Sequence, residues 1–149
     1  MSSDKGTTIE SIFDRWGEQI EELREKMSDI KQLNHAQLEM YAKRQNLVEE
    51  RGVVLMNMAK INSQVKALYS QKYKDYKERG NLIYKSEVQL ENLIKGELAE
   101  EYHKLEMYKV LAEFYEDTLK TIDNMIYGVR NVITIHQLAN GDTFKSGSR

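Results

Sequence analysis

The sequence predicts an all-α protein, and three observations support that class. The chain has 149 residues with no proline and only 8 glycines, so the backbone breaks that a many-stranded protein needs are nearly missing. Apolar residues make up 40% of the chain, which is enough for a core. Apolar side chains also recur at steps of three and four residues over long stretches. We expect long amphipathic helices in a helical hairpin with an extended C-terminal oligomerisation helix.

The first helix is predicted from Ile9 to Met27. Thr7 and Glu10 have the spacing of a capping box, which marks a helix start. Ser28 and Asp29 are good helix caps, so we expect a break there. The apolar positions of this helix follow at steps of three and four residues: Ile9, Phe13, Trp16, Ile20, Leu23 and Met27.

A second helix is predicted because one apolar position repeats every seventh residue, as in a coiled coil. Arg44 and Arg51 occupy the partner position of this seam. Their charged ends reach solvent along the aliphatic stems, or they form buried ion pairs, and the first interpretation is favoured. Gly52 leaves open a break in the helix. The repeating position comprises Leu33, Met40, Leu47, Val54, Ile61 and Leu68.

The third helix should begin near Ser86, which forms a second capping box with Gln89, and end at Asn140-Gly141. Gly96 and Gly128 leave open whether it is broken. The β-branched cluster at 129–135 leaves a strand open, although the unbroken apolar spacing favours helix. Two apolar stripes need two partner surfaces, and we expect other copies of the chain to supply them. The predicted oligomerisation seam comprises Leu105, Tyr108, Ala112, Tyr115, Leu119, Ile122, Ile126, Val129 and Ile133.

The predicted organisation is therefore one helical domain at residues 8–140 between two disordered tails, 1–7 and 141–149. Within it lie a basic segment at 60–85 and the oligomerisation helix at about 86–139. No apolar run approaches the roughly 18 residues of a membrane span, and the first residues lack a signal-peptide pattern. We expect a soluble protein that is not exported and has no membrane partner.

Enzymatic chemistry finds little support in the sequence. With no cysteine, disulfides, thiolate metal sites and cysteine nucleophiles are excluded. Phosphate-binding glycine loops, zinc-protease motifs and nucleophile elbows are also missing. Glu100 and His103 have the spacing of a di-metal carboxylate site, but no second such pair occurs. We predict a protein that is not an enzyme and uses neither a metal nor a cofactor.

Charge and aromatic residues alternate in one segment. From Lys60 to Lys85 seven bases stand against two acids, a net charge of +5, while Ser86 to Asp117 carries −6. Lysines and arginine neutralise phosphates and tyrosines stack on exposed bases, which suits single-stranded nucleic acid. The alternative is structural: the tyrosines continue a row of core residues, and the helix dipole favours lysines near the C-terminus of the helix. Tyr69, Tyr73 and Tyr76 share one helical face, with Lys66, Lys72 and Arg79 nearby. The candidate Lys85 follows Tyr84 further along the segment.

From about Asp29 to Gly141, the order and spacing of several segments resemble one family. The chain resembles the UvsY recombination mediators of T4-like bacteriophages. The segments that carry the resemblance are YAKRQN at Tyr41–Asn46, YKDYKERG at Tyr73–Gly80, KSE at Lys85–Glu87, EMYKVLAEF at Glu106–Phe114 and TLKTIDNMIYGVRNVITI at Thr118–Ile135.

The resemblance implies a factor that loads a RecA-like phage recombinase onto single-stranded DNA coated by the phage single-strand-binding protein, in recombination and repair. It implies rings of six or seven subunits held through the C-terminal helix, in the cytoplasm of the infected bacterial host. The alternative is a non-catalytic coiled-coil scaffold or structural phage protein with no nucleic-acid role. The positions that match the family's DNA-contacting motif are Lys72, Lys74, Tyr76, Lys77 and Arg79.

Overall fold

The computed structural model describes residues 8–78 and 86–141, and 94% of these residues are helical with no strand. The all-α class is therefore confirmed. The predicted N-terminal tail at 1–7, the turn at 79–81 with Arg79, the candidate Lys85 and the tail residues 142–149 lie outside the described residues. The helices are α1 (Ile9–Met27), α2 (Leu33–Glu78), α3 (Glu87–Glu97) and α4 (Ala99–Ala139), with a short 3-10 turn at Ile30–Gln32.

The boundaries of α1 match the prediction, but its N-cap is Thr8 and not Thr7. The Thr8 hydroxyl accepts a hydrogen bond from the Ser11 amide at 3.1 Å, which satisfies one of the free amides of the first turn. The break predicted after Met27 is confirmed. Ser28 caps the end of α1, and the Asp29 carboxylate accepts from the Lys31 amide at the start of the 3-10 turn.

Gly52, Gly96 and Gly128 were possible sites of helix breaks, and only Gly96 lies near a break in the structure. Helix α2 continues through Gly52 and α4 through Gly128, so residues 129–135 are helical. Helix α3 begins after Ser86, whose hydroxyl accepts from the Gln89 amide, and it ends one residue after Gly96. A single non-helical residue then separates α3 from α4. As predicted, α4 ends before Asn140-Gly141, where Gly141 adopts a φ of 88° that favours glycine.

Contacts group the described chain into two compact units. Unit 1 comprises residues 8–50 and 114–141, and unit 2 comprises residues 51–78 and 86–113. The single helical domain at 8–140 stays a prediction.

In unit 1, α1 and the C-terminal part of α4 pack against the N-terminal part of α2. Along α2 and α4 the partners run in opposite directions, because Glu50 bonds to Tyr115 whereas Arg44 bonds to Asp123 further along α4. The Arg44 Nε lies 2.6 Å from the Asp123 carboxylate, and because both side chains remain about 40% exposed, Arg44 reaches solvent and also forms an ion pair that is not buried. The buried apolar side chains of unit 1 are Trp16, Ile20, Leu23, Leu33, Ala36, Met40, Leu47, Tyr115, Ile122, Met125, Ile126 and Val129.

The oligomerisation seam predicted on α4 faces the inside of the chain's own fold. Five of its positions are buried in the single chain, namely Leu105, Tyr115, Ile122, Ile126 and Val129. The other four, Tyr108, Ala112, Leu119 and Ile133, are half-buried. In unit 1, α1 and α2 supply surfaces that we had expected from other copies. Burial of these side chains therefore needs no second molecule.

Most of the exposed large apolar residues of α4 lie instead towards its C-terminal end, while Met107 and Val110 are exposed in its first half. Four large apolar side chains there are 40–64% exposed. Their positions follow the last buried core residues of the helix or lie on its opposite face. They are Tyr127, Val132, Ile135 and Leu138.

Candidate nucleic-acid interface

The described part of the basic segment predicted to bind DNA, residues 60–78, forms the last turns of α2, in unit 2. Lys66, Lys74 and Lys77 are exposed, while Lys72 and Tyr76 are half-buried. Arg79 and Lys85, the other two predicted contacts, lie outside the described residues. The structure therefore places five of the seven predicted residues on one helix.

Helical spacing sorts these residues around a row of tyrosines. Tyr69, Tyr73 and Tyr76, which we name the tyrosine row, fall within about 60° of one another at ~100° per residue. Lys72 lies on one side of the row, and Lys66 lies on the other. Lys77 and Lys74 follow Lys66 on that side. An aromatic strip flanked by ammonium groups is the arrangement that suits the bases and phosphates of a single strand.

The tyrosine row is not open, because α3 lies over it. Leu90, Ile94 and Leu98 form a fully buried cluster, and partly buried side chains of α2 and α4 pack around it. Burial raises the pKa of the Tyr69 hydroxyl. The sequence alternative, in which the tyrosines belong to a core, therefore describes part of their surroundings. The partly buried residues around the cluster are Leu68, Tyr69, Tyr73, Tyr76 and Tyr102.

One carboxylate near the start of α3 binds both a lysine and a tyrosine of α2. The Lys77 Nζ lies 2.5 Å from Glu87 Oε1, and the Tyr73 hydroxyl donates to Glu87 Oε2 at 3.1 Å. The hydrogen bond from Lys77, and to a smaller extent the one from Tyr73, hold the pKa of the Glu87 carboxyl below its ordinary value. The Lys77 ammonium also lies 5.5 Å from the centre of the Tyr73 ring, within the range of a cation–π contact.

A second carboxylate at the end of α3 repeats the arrangement. The Lys72 Nζ lies 3.1 Å from Glu97 Oε2, and the Tyr76 hydroxyl donates to Glu97 Oε1. Both ion pairs are partly exposed, since their four side chains keep between 33% and 59% of their accessible surface. Exposed pairs of this kind contribute little to stability and yield to competing ions.

The two outer lysines differ from Lys72 and Lys77. Lys74 has only a local partner, Glu78, at 3.8 Å within the same helix. In the part of the chain that the structure describes, no carboxylate lies within ion-pairing distance of Lys66. Both ammonium groups face solvent and are open to an anion.

Sequence reasoning did not identify Glu87 and Glu97 as partners of the basic segment. The available signal was charge, because the −6 block begins directly after the +5 block. Pattern alone could not say which of its nine acids would return to α2. That choice depends on how α3 packs.

No other chemistry emerges from the described residues. Within residues 8–78 and 86–141, no three histidine, aspartate or glutamate side chains are grouped as a metal site would require. Glu100 and His103 are both exposed. None of the helices described has the length and apolar character needed to cross a membrane.

Comparisons with known proteins add no relative to this description. Searches against protein-family models, curated proteins and solved structures found no match for the chain.

Proposed function

We propose that the chain is a recombination mediator. It binds single-stranded DNA and promotes loading of a RecA-like recombinase onto strands coated with single-strand-binding protein. The observation that carries the proposal is the tyrosine row flanked by Lys66, Lys72, Lys74 and Lys77 on the last turns of α2. The resemblance to the phage mediators, over about 29–141, supplies the biological process.

The chemistry of the proposed contact follows from the two sides of the row. Lysines neutralise phosphates and release counterions, which gives affinity without sequence preference. Tyrosine rings can stack on any base, and in this half-buried row bases would use the part of each ring that α3 leaves exposed. With few phosphates per chain, one subunit binds weakly, and a ring of six or seven subunits binds tightly by raising the effective concentration of the remaining sites.

Self-association, in this proposal, uses the exposed end of α4. The seam residues are buried in the chain's own fold, whereas Val132, Ile135 and Leu138 expose apolar surface to solvent. Antiparallel α2 and α4 segments would form the helical hairpin, and the free end of α4 would join neighbouring copies. Apolar patches of this kind are typical of protein interfaces.

Partner proteins would meet the acidic surfaces. Helix α1 lies in a block with a net charge of −3, and α3 begins the −6 block, so both repel DNA. Electrostatic complementarity favours a basic surface on the recombinase or on the single-strand-binding protein. ATP would be consumed by the recombinase alone, in the cytoplasm of the infected host.

A non-catalytic coiled-coil scaffold is the second candidate, and one observation favours it. Lys72, Lys77, Tyr73 and Tyr76 already bind carboxylates of α3, as residues of a purely structural contact would. A scaffold would not retain single-stranded DNA at physiological salt.

The test is a fluorescence-anisotropy titration with a labelled oligonucleotide at several salt concentrations. Lys66→Ala with Lys74→Ala removes two exposed ammonium groups that take no part in the contact with α3. If each neutralises one phosphate, the slope of log affinity against log salt should become less steep by about 1.4.

The matched control is Lys104→Ala with Lys120→Ala, two exposed lysines of α4. It changes the net charge equally and should leave the slope close to that of the wild type. Absence of binding by the wild type at physiological salt would favour the scaffold. Equal slopes for the two double variants would contradict the assignment of the site.

A further inference from the structure

Helix α3 occupies the groups that the proposed function assigns to DNA. We propose that α3 is an autoinhibitory strap, whose Glu87 and Glu97 compete with DNA phosphates for Lys77 and Lys72. Single-stranded DNA then binds only as it displaces these carboxylates. The inference rests on the proposed function and adds a regulatory element to the same site.

The two carboxylates present the chemistry of a phosphate. Glu87 accepts from the Lys77 ammonium and the Tyr73 hydroxyl, while Glu97 accepts from the Lys72 ammonium and the Tyr76 hydroxyl. Anionic oxygens that accept charge-assisted hydrogen bonds from ammonium groups are also what a DNA backbone offers. The strap therefore holds the site with the same kind of interaction that DNA would use.

The long-range pairing distinguishes these contacts from ordinary surface ion pairs. In the described part of unit 2, the other lysine pairs are local, such as Lys74 with Glu78 and Lys109 with Glu106. Only Lys72 and Lys77 reach from one helix to another, and both reach α3. The two ends of one short helix thus neutralise two of the lysines that flank the tyrosine row.

The strap is held firmly by apolar contact and weakly by charge. Leu90 and Ile94, the apolar side chains of α3, are fully buried, which keeps the helix in place. The ion pairs are exposed and therefore sensitive to salt and to other anions. Leu98, with φ −99° and ψ 19°, is the single non-helical residue joining α3 to α4. DNA phosphates can therefore replace the Glu87 and Glu97 carboxylates as partners of Lys77 and Lys72 while α3 stays packed.

The first test weakens the strap without removing it. Glu87→Gln with Glu97→Gln abolishes both negative charges, and each amide oxygen can still accept from its tyrosine hydroxyl. We expect single-stranded DNA to bind about 3- to 10-fold more tightly at low salt, as the loss of two exposed ion pairs implies. Circular dichroism checks that the helix content is unchanged.

The matched control is Glu100→Gln with Glu113→Gln. Both glutamates are exposed on α4 in unit 2, and the described residues contain no ion pair to either. This variant has the same net charge as the strap variant. A gain in affinity confined to the strap variant supports the inference, whereas equal gains in both would overturn it.

The second test follows the carboxylates directly. A zero-length carbodiimide reagent joins a lysine to a carboxylate in contact, so the free wild type should yield the Lys72–Glu97 and Lys77–Glu87 cross-links in mass spectrometry. Saturating oligonucleotide should suppress both at least 5-fold. It should leave the cross-link between Lys26 and Glu39, which lie 2.5 Å apart in unit 1, unchanged.

The outcomes separate the two proposals. If the oligonucleotide binds and both α3 cross-links persist, the strap is refuted while the DNA-binding function stands. If neither the wild type nor the strap variant retains the oligonucleotide, the DNA-binding function fails, and the strap fails with it. Binding by the strap variant alone would support both.

Discussion

The Glu50 carboxylate joins the three helical segments of unit 1, and its removal should destabilise the fold. Glu50 Oε2 accepts from Arg15 Nη2 at 2.8 Å, from Trp16 Nε1 at 3.0 Å and from the Tyr115 hydroxyl at 2.7 Å. Burial, followed by the hydrogen bond to Glu50, raises the pKa of Tyr115. The donors come from α1 and α4, so one side chain of α2 ties both neighbours.

The size of the effect follows from what Glu50→Ala leaves behind. Trp16 is 1% and Tyr115 2% exposed, so an indole N–H and a phenol lose their partner where water has little access. A buried donor left unpaired costs about 1–3 kcal/mol, whereas Arg15 is 48% exposed and its ion pair contributes at most about 1 kcal/mol. We expect Glu50→Ala to lower the free energy of unfolding by about 3 kcal/mol.

Thermal unfolding followed by circular dichroism at 222 nm measures this loss. For a chain of this length, about 3 kcal/mol corresponds to a fall in Tm of about 6–12 °C. The control is Glu49→Ala, an exposed neighbour whose hydrogen bond, at 3.2 Å, is to Gln45 within the same helix. That control should change Tm by no more than about 2 °C.

A double-mutant cycle isolates the link between α2 and α4. Tyr115→Phe removes only the hydroxyl, so its effect should be much smaller in the Glu50→Ala background than in the wild type. Equal Tm values for the Glu50 and Glu49 variants would refute the reasoning, as would strictly additive effects of the Glu50 and Tyr115 substitutions.

Three further predictions follow from other parts of the chain. Gly52→Ala should raise the free energy of unfolding by about 1 kcal/mol in urea titrations, because Gly52 lies inside α2 and nothing lies within 4 Å of an added Cβ; an unchanged or lower midpoint would contradict this. The hydrogen bond from Lys26 lowers the pKa of the Glu39 carboxyl. The stability that the ionised carboxylate adds to the fold is therefore present above pH 4.5, the ordinary pKa, and is lost as pH falls through the lowered pKa. Lys26→Ala should therefore lose less stability than the wild type between pH 6 and pH 3, and parallel urea midpoints would exclude that link. Ile135→Gln with Leu138→Gln should reduce the oligomer mass in light scattering without a fall in helix content, whereas unchanged mass would place self-association elsewhere.

Local signals predicted most of the helix boundaries. The end of α1 at Met27, the start of α3 after Ser86 and the stop at Gly141 each depend on a few neighbouring residues that cap or break a helix. The cap of α1 was misplaced by one residue, because two adjacent threonines carry the same signal. The structure uses Thr8, which also accepts from the amide of Ser11.

Contacts between distant residues could not be predicted in the same way. Arg44 and Asp123 are 79 positions apart, and nothing in either neighbourhood links them. The same limit applies to Glu87 and Glu97, whose charge was visible although their partners on α2 were not. Of the candidate site, the sequence therefore predicted the lysines, the tyrosine row and the start of α3, but not the packing of α3 against α2.

The predicted oligomerisation seam shows a related limit of periodicity. Two apolar stripes on one helix do require two partner surfaces, and periodicity does not say whether those surfaces belong to the same chain. In unit 1, α1 and α2 cover the α4 stripe that includes Ile122 and Val129, both fully buried. The proposal that the end of α4 joins copies of the chain rests on the exposure of Val132, Ile135 and Leu138 in the folded chain, and not on periodicity.

The strap and the proposed assembly have a common consequence for DNA. If α3 opposes binding in every subunit, a strand that meets one subunit gains little, since displacement of Glu87 and Glu97 offsets the new phosphate contacts. A strand long enough to meet several subunits meets the same opposition at each, but its later contacts form at high effective concentration. Weak, separately reversible contacts also suit the proposed transfer of the strand to a recombinase, because each subunit would release the strand as the carboxylates of its own α3 rebind Lys72 and Lys77.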